Sequence, residues 1–299
     1  MKTHFDRRAV VAADPVLVLG DSGVLRPGAS RWARALGWMV AMLVVLILIV
    51  SLQSVVRAVL PQPSVVLAMA FICTSLAYLA YAGMVRWGER RAVSELALAP
   101  ALPEIAIGVA IGGGAMATVM ALLWLGGLYS FAWGNWSDWA HDIRETLGTG
   151  FLEELLARLV IFRLVARAFG IGPALTISAI AFGAAHLGNP HATLFSALAI
   201  AIEAGLMLAA FYVLTGRIWV SIGAHAGWNF AQGAIFGARV SGFDAEGSLF
   251  HAVPVTGMPN ILSGGDFGPE GSAPAILVGL GLFCLTMAIR RRRLRAIEG

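Results

Sequence analysis

Charge is scarce in this sequence: 13% of its 299 residues are Asp, Glu, Lys or Arg, about half the share carried by soluble globular chains. With 59% hydrophobic residues and a mean hydropathy of +0.80, a fold this apolar would have no polar surface to give to water. That excludes an ordinary soluble domain and implies an integral membrane protein. Cysteine is nearly absent. Cys73 and Cys284 are too few for a disulfide framework or a zinc-cysteine site, and both fall in apolar runs, where they read as small core residues. No internal repeat is visible, no H-E-x-x-H zinc motif occurs, and nothing resembles a soluble catalytic domain. Residues 1–34 are too long and too mixed in character for the leading segment of a signal peptide. The first apolar run is therefore expected to stay as an anchor, and any chemistry must lie inside the bundle.

Runs of about 20 apolar residues fall at Gly37 to Leu60, Val65 to Trp87, Ile105 to Phe131, Phe151 to Phe169, Pro173 to Leu187, Ala192 to Leu214, Ile218 to Ala238 and Pro274 to Arg290. Turn-rich breaks such as "PQPS", "GIGP" and "GNPH" separate them. The expected fold is all-α: a polytopic membrane helix bundle of about eight transmembrane helices spanning 35–290, with a cytoplasmic tail at 1–34 and a basic tail at 291–299. Orientation follows from the arginines, because Lys and Arg near span ends are retained in the cytoplasm. With the N-terminus inside, Arg26, Arg31, Arg34, Arg86, Arg90, Arg91, Arg163, Arg167, Arg217 and the run Arg290 to Arg293 are cytoplasmic, and only Arg57, Arg144 and Arg239 lie outside. Both termini are thus expected in the cytoplasm, as in a bacterial inner-membrane protein. The pI near 9.6 reads as a topology signal. Nucleic-acid binding is not expected, since the basic residues are scattered over separate span ends.

Against this background, the charges in "FLEELLARLVIFR", residues 151–163, stand out. A carboxylate at mid-helix costs about 2.5–3.5 kcal/mol on insertion scales, so an intramembrane charge is a functional candidate by default. Glu154 and Arg158 are four residues apart on one helical face, where they can pair. Glu153 is five from Arg158 and points about 140° away, which leaves its carboxylate free. Two histidines follow: His186 in "FGAAHLGNP", and His225 with Asn229 one turn later in "GAHAGWNF". Polar residues in a low-dielectric bundle need one another as partners. Gly183, Ala184, Ala185, Gly223, Ala224 and Gly227 would let their helices approach closely.

Three motifs, E-E-x-x-x-R as "EELLAR", F-x-x-x-H as "FGAAH" and H-x-x-x-N as "HAGWN", occur in this order over residues 153–229. The pattern resembles the CPBP family of CAAX proteases and bacteriocin-processing enzymes, which includes the type II CAAX prenyl endopeptidases, with a core at about 150–238. The resemblance implies an intramembrane endopeptidase acting on a membrane-associated or prenylated peptide or protein substrate. It implies that Glu153 and His186 hold and activate a water, that His225 and Asn229 donate to the oxyanion, and that Glu154 and Arg158 form a supporting pair. No cofactor is expected.

Other readings stay open at this level. A zinc protease would use Glu153 or Glu154, with His186 and His225, as ligands and a second glutamate as base, Glu154 being the first choice of ligand; a non-catalytic immunity or scaffolding protein would only bind a partner; a transporter would use Glu153, Glu203 and the histidines as a proton relay, without the repeats that transporters show. Glu203 is read as a buried structural hydrogen-bonding residue in preference to a cavity-lining one. "SDWAHDIRE", with Trp133 and Trp136 just before it and Trp139 within it at three-residue spacing, is expected to be an interfacial helix. The Gly/Pro-rich stretch within 239–273 is expected to be a solvated connector more readily than a lid. No chemistry is assigned to His141, His191 or His251.

Overall fold

The computed structural model describes residues 16–60, 62–137, 148–245 and 247–298. Each apolar run yields a helix, as lipid demands, because a spanning backbone has no water to satisfy its N–H and C=O groups. The helices are α1 (Arg31–Val59), α2 (Pro63–Gly83), α3 (Ala101–Leu125), α4 (148–169), α5 (Ile171–Ala185), α6 (Leu194–Thr215), α7 (Trp219–Phe230) and α8 (Ala273–Glu298). Among the described residues, six are long and apolar enough to cross a membrane: α1, α2 with the π-helical turn that follows it, α3, α5 with its closing turn, α6 and α8. The other two differ for physical reasons. α4 carries Glu153, Glu154, Arg158, Arg163 and Arg167, and α7 has only 12 α-helical residues before the π-turn Ala231–Ile235. The architecture is that of a multi-pass helical membrane bundle.

It is not purely α-helical. The third apolar run, expected to reach Phe131, stops as a helix at Leu125, where Gly126 caps it and Gly127 turns the chain at φ +67°. The chain then enters strand β1 (Tyr129–Trp133), which pairs antiparallel with β2 (Phe250–Pro254), from Tyr129 opposite Pro254 to Trp133 opposite Phe250. Trp133 therefore lies in a strand, and residues 134–137, which lead into the expected interfacial helix, form no helix. The rest of that stretch, with Trp139, His141 and Arg144, lies outside the described residues, as do Glu246 and the tail before residue 16.

The closest helix pair is α3 with α7. Gly108 and Gly112 of α3 and Gly223 and Gly227 of α7 recur at four-residue spacing, and a Cβ on any of them would fall on the backbone of the facing helix. This is the small-residue packing that membrane helices use to bring backbones together. Gly112→Ala, whose new methyl would meet the Ala224 carbonyl, is expected to destabilise the protein by about 1–3 kcal/mol. Gly114→Ala, with open space around it, is expected to leave thermal unfolding in detergent unchanged or slightly raised, so the pair separates packing from helix propensity.

Toward the far end of α4, Arg163 is fully buried and grips Glu89 with two nitrogens at 2.7 and 2.8 Å. Arg91 bridges Glu89 and Glu95, and the Trp38 indole donates to Glu89. The sequence places Arg163 among cytoplasmic span-end arginines; the fold uses it to tie α1, α2 and α4 together. Cys73 is buried as expected, whereas Cys284 is exposed on the outer face of α8, so only the first is a core residue.

Candidate active site

The site begins in α4, which passes from regular helix over residues 148–154 into a π-helical stretch, Leu155–Phe162. Such widened turns recur where a helix presents functional groups. Here the turn begins directly after the two glutamates. Glu154 and Arg158, both fully buried, form an ion pair with Oε2 2.9 Å from Nε. The contact is Coulombic more than a well-aligned hydrogen bond, since neither atom has a hydrogen-bond partner of good geometry. Arg158 also donates through Nη2 to the Ala204 carbonyl of α6 at 3.1 Å and lies 4.7 Å from the Phe182 ring centroid.

Glu153 turns away from this pair. Its Oε2 has no hydrogen-bond partner within the chain and lies 3.9 Å from Nε2 of His186 and 3.9 Å from Nε2 of His225. At that separation the Glu153 carboxylate makes no direct hydrogen bond to either imidazole. The tautomers follow from the remaining ring nitrogens. His186 Nδ1 is 2.8 Å from the Phe182 carbonyl, which can only accept, so Nδ1 carries hydrogen and the Nε2 of a neutral ring offers a lone pair toward Glu153. His225 Nδ1 lies 3.1 Å from Glu154 Oε1, so the same reasoning places a hydrogen there. Asn229, one turn beyond His225, donates through Nδ2 to the Thr149 hydroxyl at 3.3 Å and so ties α7 to the first turn of α4. Glu153, Glu154, Arg158, His186, His225 and Asn229 therefore occupy one place in the bundle, with Phe182 against both imidazoles at ring-centroid distances of 4.9 and 6.0 Å.

Behind the histidines lies a cavity of about 20 Å³, whose walls include His186, His225, Asn229, Trp228, Glu203 and Glu270. Glu203 is 2% exposed and its Oε2 has no partner within the chain, which replaces the expected structural hydrogen bond with a cavity-facing carboxylate. Glu270 was missed by the sequence reading. It belongs to the stretch expected to be a solvated connector, yet Ser263, Phe267, Glu270 and Ser272 are all buried. Gly264 and Gly268, at φ +82° and +119°, let this segment fold inward. The Glu270 carboxylate accepts from the Ser241 backbone N–H and hydroxyl at 2.5 and 2.7 Å. Burial pushes its carboxyl above the ordinary carboxylate range, partly offset by these bonds and by His186. No local sequence signal separates this glutamate from a surface one.

Among the described residues, no group of three His, Cys, Asp or Glu is arranged to hold a metal ion. In the set Glu154, His186 and His225, one Glu154 oxygen faces Arg158 and the other His225 Nδ1. A zinc ligand set that used Glu154 would have to break this ion pair first.

Residues 135–231, about a third of the chain, match the family model described as type II CAAX prenyl endopeptidase Rce1-like. No curated protein and no solved structure matches the chain.

Proposed function

From a chain whose segment 135–231 belongs to the CPBP and CAAX-protease family, we propose an intramembrane endopeptidase that hydrolyses a peptide bond with water activated by Glu153. The observation that carries this reading is the unpartnered Glu153 oxygen 3.9 Å from each of two imidazoles. A water beside these groups gives one hydrogen to the carboxylate and the other to the lone pair on His186 Nε2, which aims its oxygen at the scissile carbonyl. As the C–O bond forms, Glu153 takes the water's proton and later returns it to the departing amine. His225 can donate to the oxyanion through Nε2 only as imidazolium, because Nδ1–H is committed to Glu154. The charges then balance: Glu153 and Glu154 against Arg158 and His225. Asn229 supplies the second donor. Each such donor is worth about 2.7–4 kcal/mol in the transition state.

The membrane-peptide substrate is that of the family, and the arginine distribution supports an N-terminus and a C-terminus in the cytoplasm. In that orientation, α4 starts at the outer face and Glu153, near its first turns, lies in the outer half of the bilayer. A substrate presented from outside, such as an exported peptide or a membrane anchor segment, therefore suits the site better than a cytoplasmic prenylated tail. A single cysteine at Ser137 is expected to react with a membrane-impermeant maleimide only from the outer side; labelling from the cytoplasm would reverse the orientation and restore the prenylated substrate.

The function itself is tested by incubating the purified protein in detergent with a library of membrane peptides, with and without a strong chelator. Cleavage that persists in chelator supports the glutamate-water mechanism. Cleavage lost to the chelator and restored by zinc would establish a metal enzyme.

A further inference from the structure

The acid pair Glu203 and Glu270 is not accounted for by this mechanism. Glu203 belongs to a second π-helical turn, Ala201–Leu206 in α6, and Glu270 to the inward-folded segment before α8. Both are 2% exposed and both line the cavity behind the histidines. Among the described residues neither has an ion pair within 4 Å: the nearby Arg158 is engaged with Glu154, and the hydrogen bonds to Glu270 come from the neutral donors of Ser241 and Gln232.

Two of the lining residues carry a polar atom without a partner. Glu203 Oε2 and the Trp228 indole Nε1 are buried, line the cavity and have no hydrogen-bond partner within the chain. One is an acceptor and the other a donor. The cavity, at about 20 Å³, exceeds the roughly 10–15 Å³ that one water requires, and a buried water needs two to four polar partners. Water fits both its size and its polarity. Hydrolysis consumes one water per turnover, at a site surrounded by lipid, so a source of water beside the reacting groups has a use.

Resting on the reading of the site as a hydrolase, we propose that this cavity is the holding site for the co-substrate water, with Glu203, Trp228 and Glu270 as the polar wall that keeps it beside His186 and His225. Glu203 and Glu270 are positioning residues here and do not touch the scissile bond.

The test uses the full-length protein in detergent and needs no substrate. Synchrotron radiolysis of a trapped water produces hydroxyl radicals that modify only adjacent side chains, and two oxidisable residues, Met207 and Trp228, line the cavity at 1% and 3% exposure. Both are expected to be modified at least about tenfold faster than the equally buried Met116 of α3 and Met42 of α1. Glu203→Leu is expected to abolish that excess, and Glu203→Gln, which keeps the hydrogen bonding, to retain it. Met207 and Trp228 reacting no faster than Met116 in the wild type would overturn the proposal. So would an excess that Glu203→Leu leaves intact, provided the variant's thermal unfolding matches that of Glu203→Gln. A cleavage assay separates the two readings: a positive radiolysis pattern in a protein that cuts nothing would leave the water site standing and remove the hydrolase, whereas normal cleavage without the pattern would do the reverse. On a cleaved peptide, Glu203→Leu is expected to lower kcat about tenfold with KM unchanged.

Discussion

Glu153→Gln is expected to lower kcat/KM by about a thousandfold, within the 10²–10⁴ that a general base contributes, and to leave thermal unfolding unchanged. The second half of this result follows from the geometry as directly as the first. Glu153 is 35% exposed at its side chain, and its Oε2 has no hydrogen-bond partner to lose. A glutamine occupies the same volume and can still accept a hydrogen bond, but it cannot take a proton. A thousandfold loss corresponds to about 4 kcal/mol of transition-state stabilisation. The measurement is steady-state cleavage of a defined peptide beside a melting curve for the same preparation. Activity within tenfold of wild type would move the base from Glu153 to another carboxylate, with Glu154 the first candidate, and would remove the central step of the proposed mechanism.

The neighbouring glutamate should behave in the opposite way. Arg158→Met is expected to cost about 3–5 kcal/mol of stability, because it strands the fully buried Glu154 carboxylate without its cation. Removing both charges together, as Glu154→Gln with Arg158→Met, is expected to recover most of that loss, since an uncharged pair of similar volume carries no desolvation penalty. Catalysis should not recover with it. Glu154 also holds Nδ1–H of His225, and a neutral amide there gives an imidazolium no counter-charge. Denaturant or thermal unfolding of the two single variants and the double variant closes the cycle. A double variant as unstable as Arg158→Met would mean that the pair is held by packing against Phe182 and Ala204 and not by charge.

The divergent behaviour expected of Glu153 and Glu154 was legible in the sequence. A helix turns about 100° per residue, so adjacent glutamates in an apolar run face different surroundings, and only one is four residues from an arginine. His225 and Asn229 were legible for the same reason, one turn apart on a helix too short of polar residues to satisfy them locally. The signals that failed were all long-range. Arg163 sits in "FRLVARAF", which reads as a basic span end, and nothing near it reveals Glu89 as its partner. Strand β1 is five residues long and pairs with a segment more than a hundred residues later, so no local alternation could announce it. Glu270 looks like any acidic residue in a Gly/Pro-rich loop until Gly264 and Gly268 bend that loop into the bundle. The helices and the motif residues could thus be read from local pattern, while the second pair of carboxylates and the sheet depended on contacts that only the assembled fold contains.

The pairing of β1 with β2 also bears on when this protein becomes competent during its synthesis. A ribosome delivers β1 before α4, and β2 only after α7, so the sheet closes around a chain that already includes Glu153, His186, His225 and Asn229. Glu270 follows β2, and the last wall of the cavity is therefore among the final parts made. A nascent chain stalled after α7 would hold every motif residue and still lack that wall. The segment after β2, about the last sixth of the chain, therefore decides when this cavity is complete.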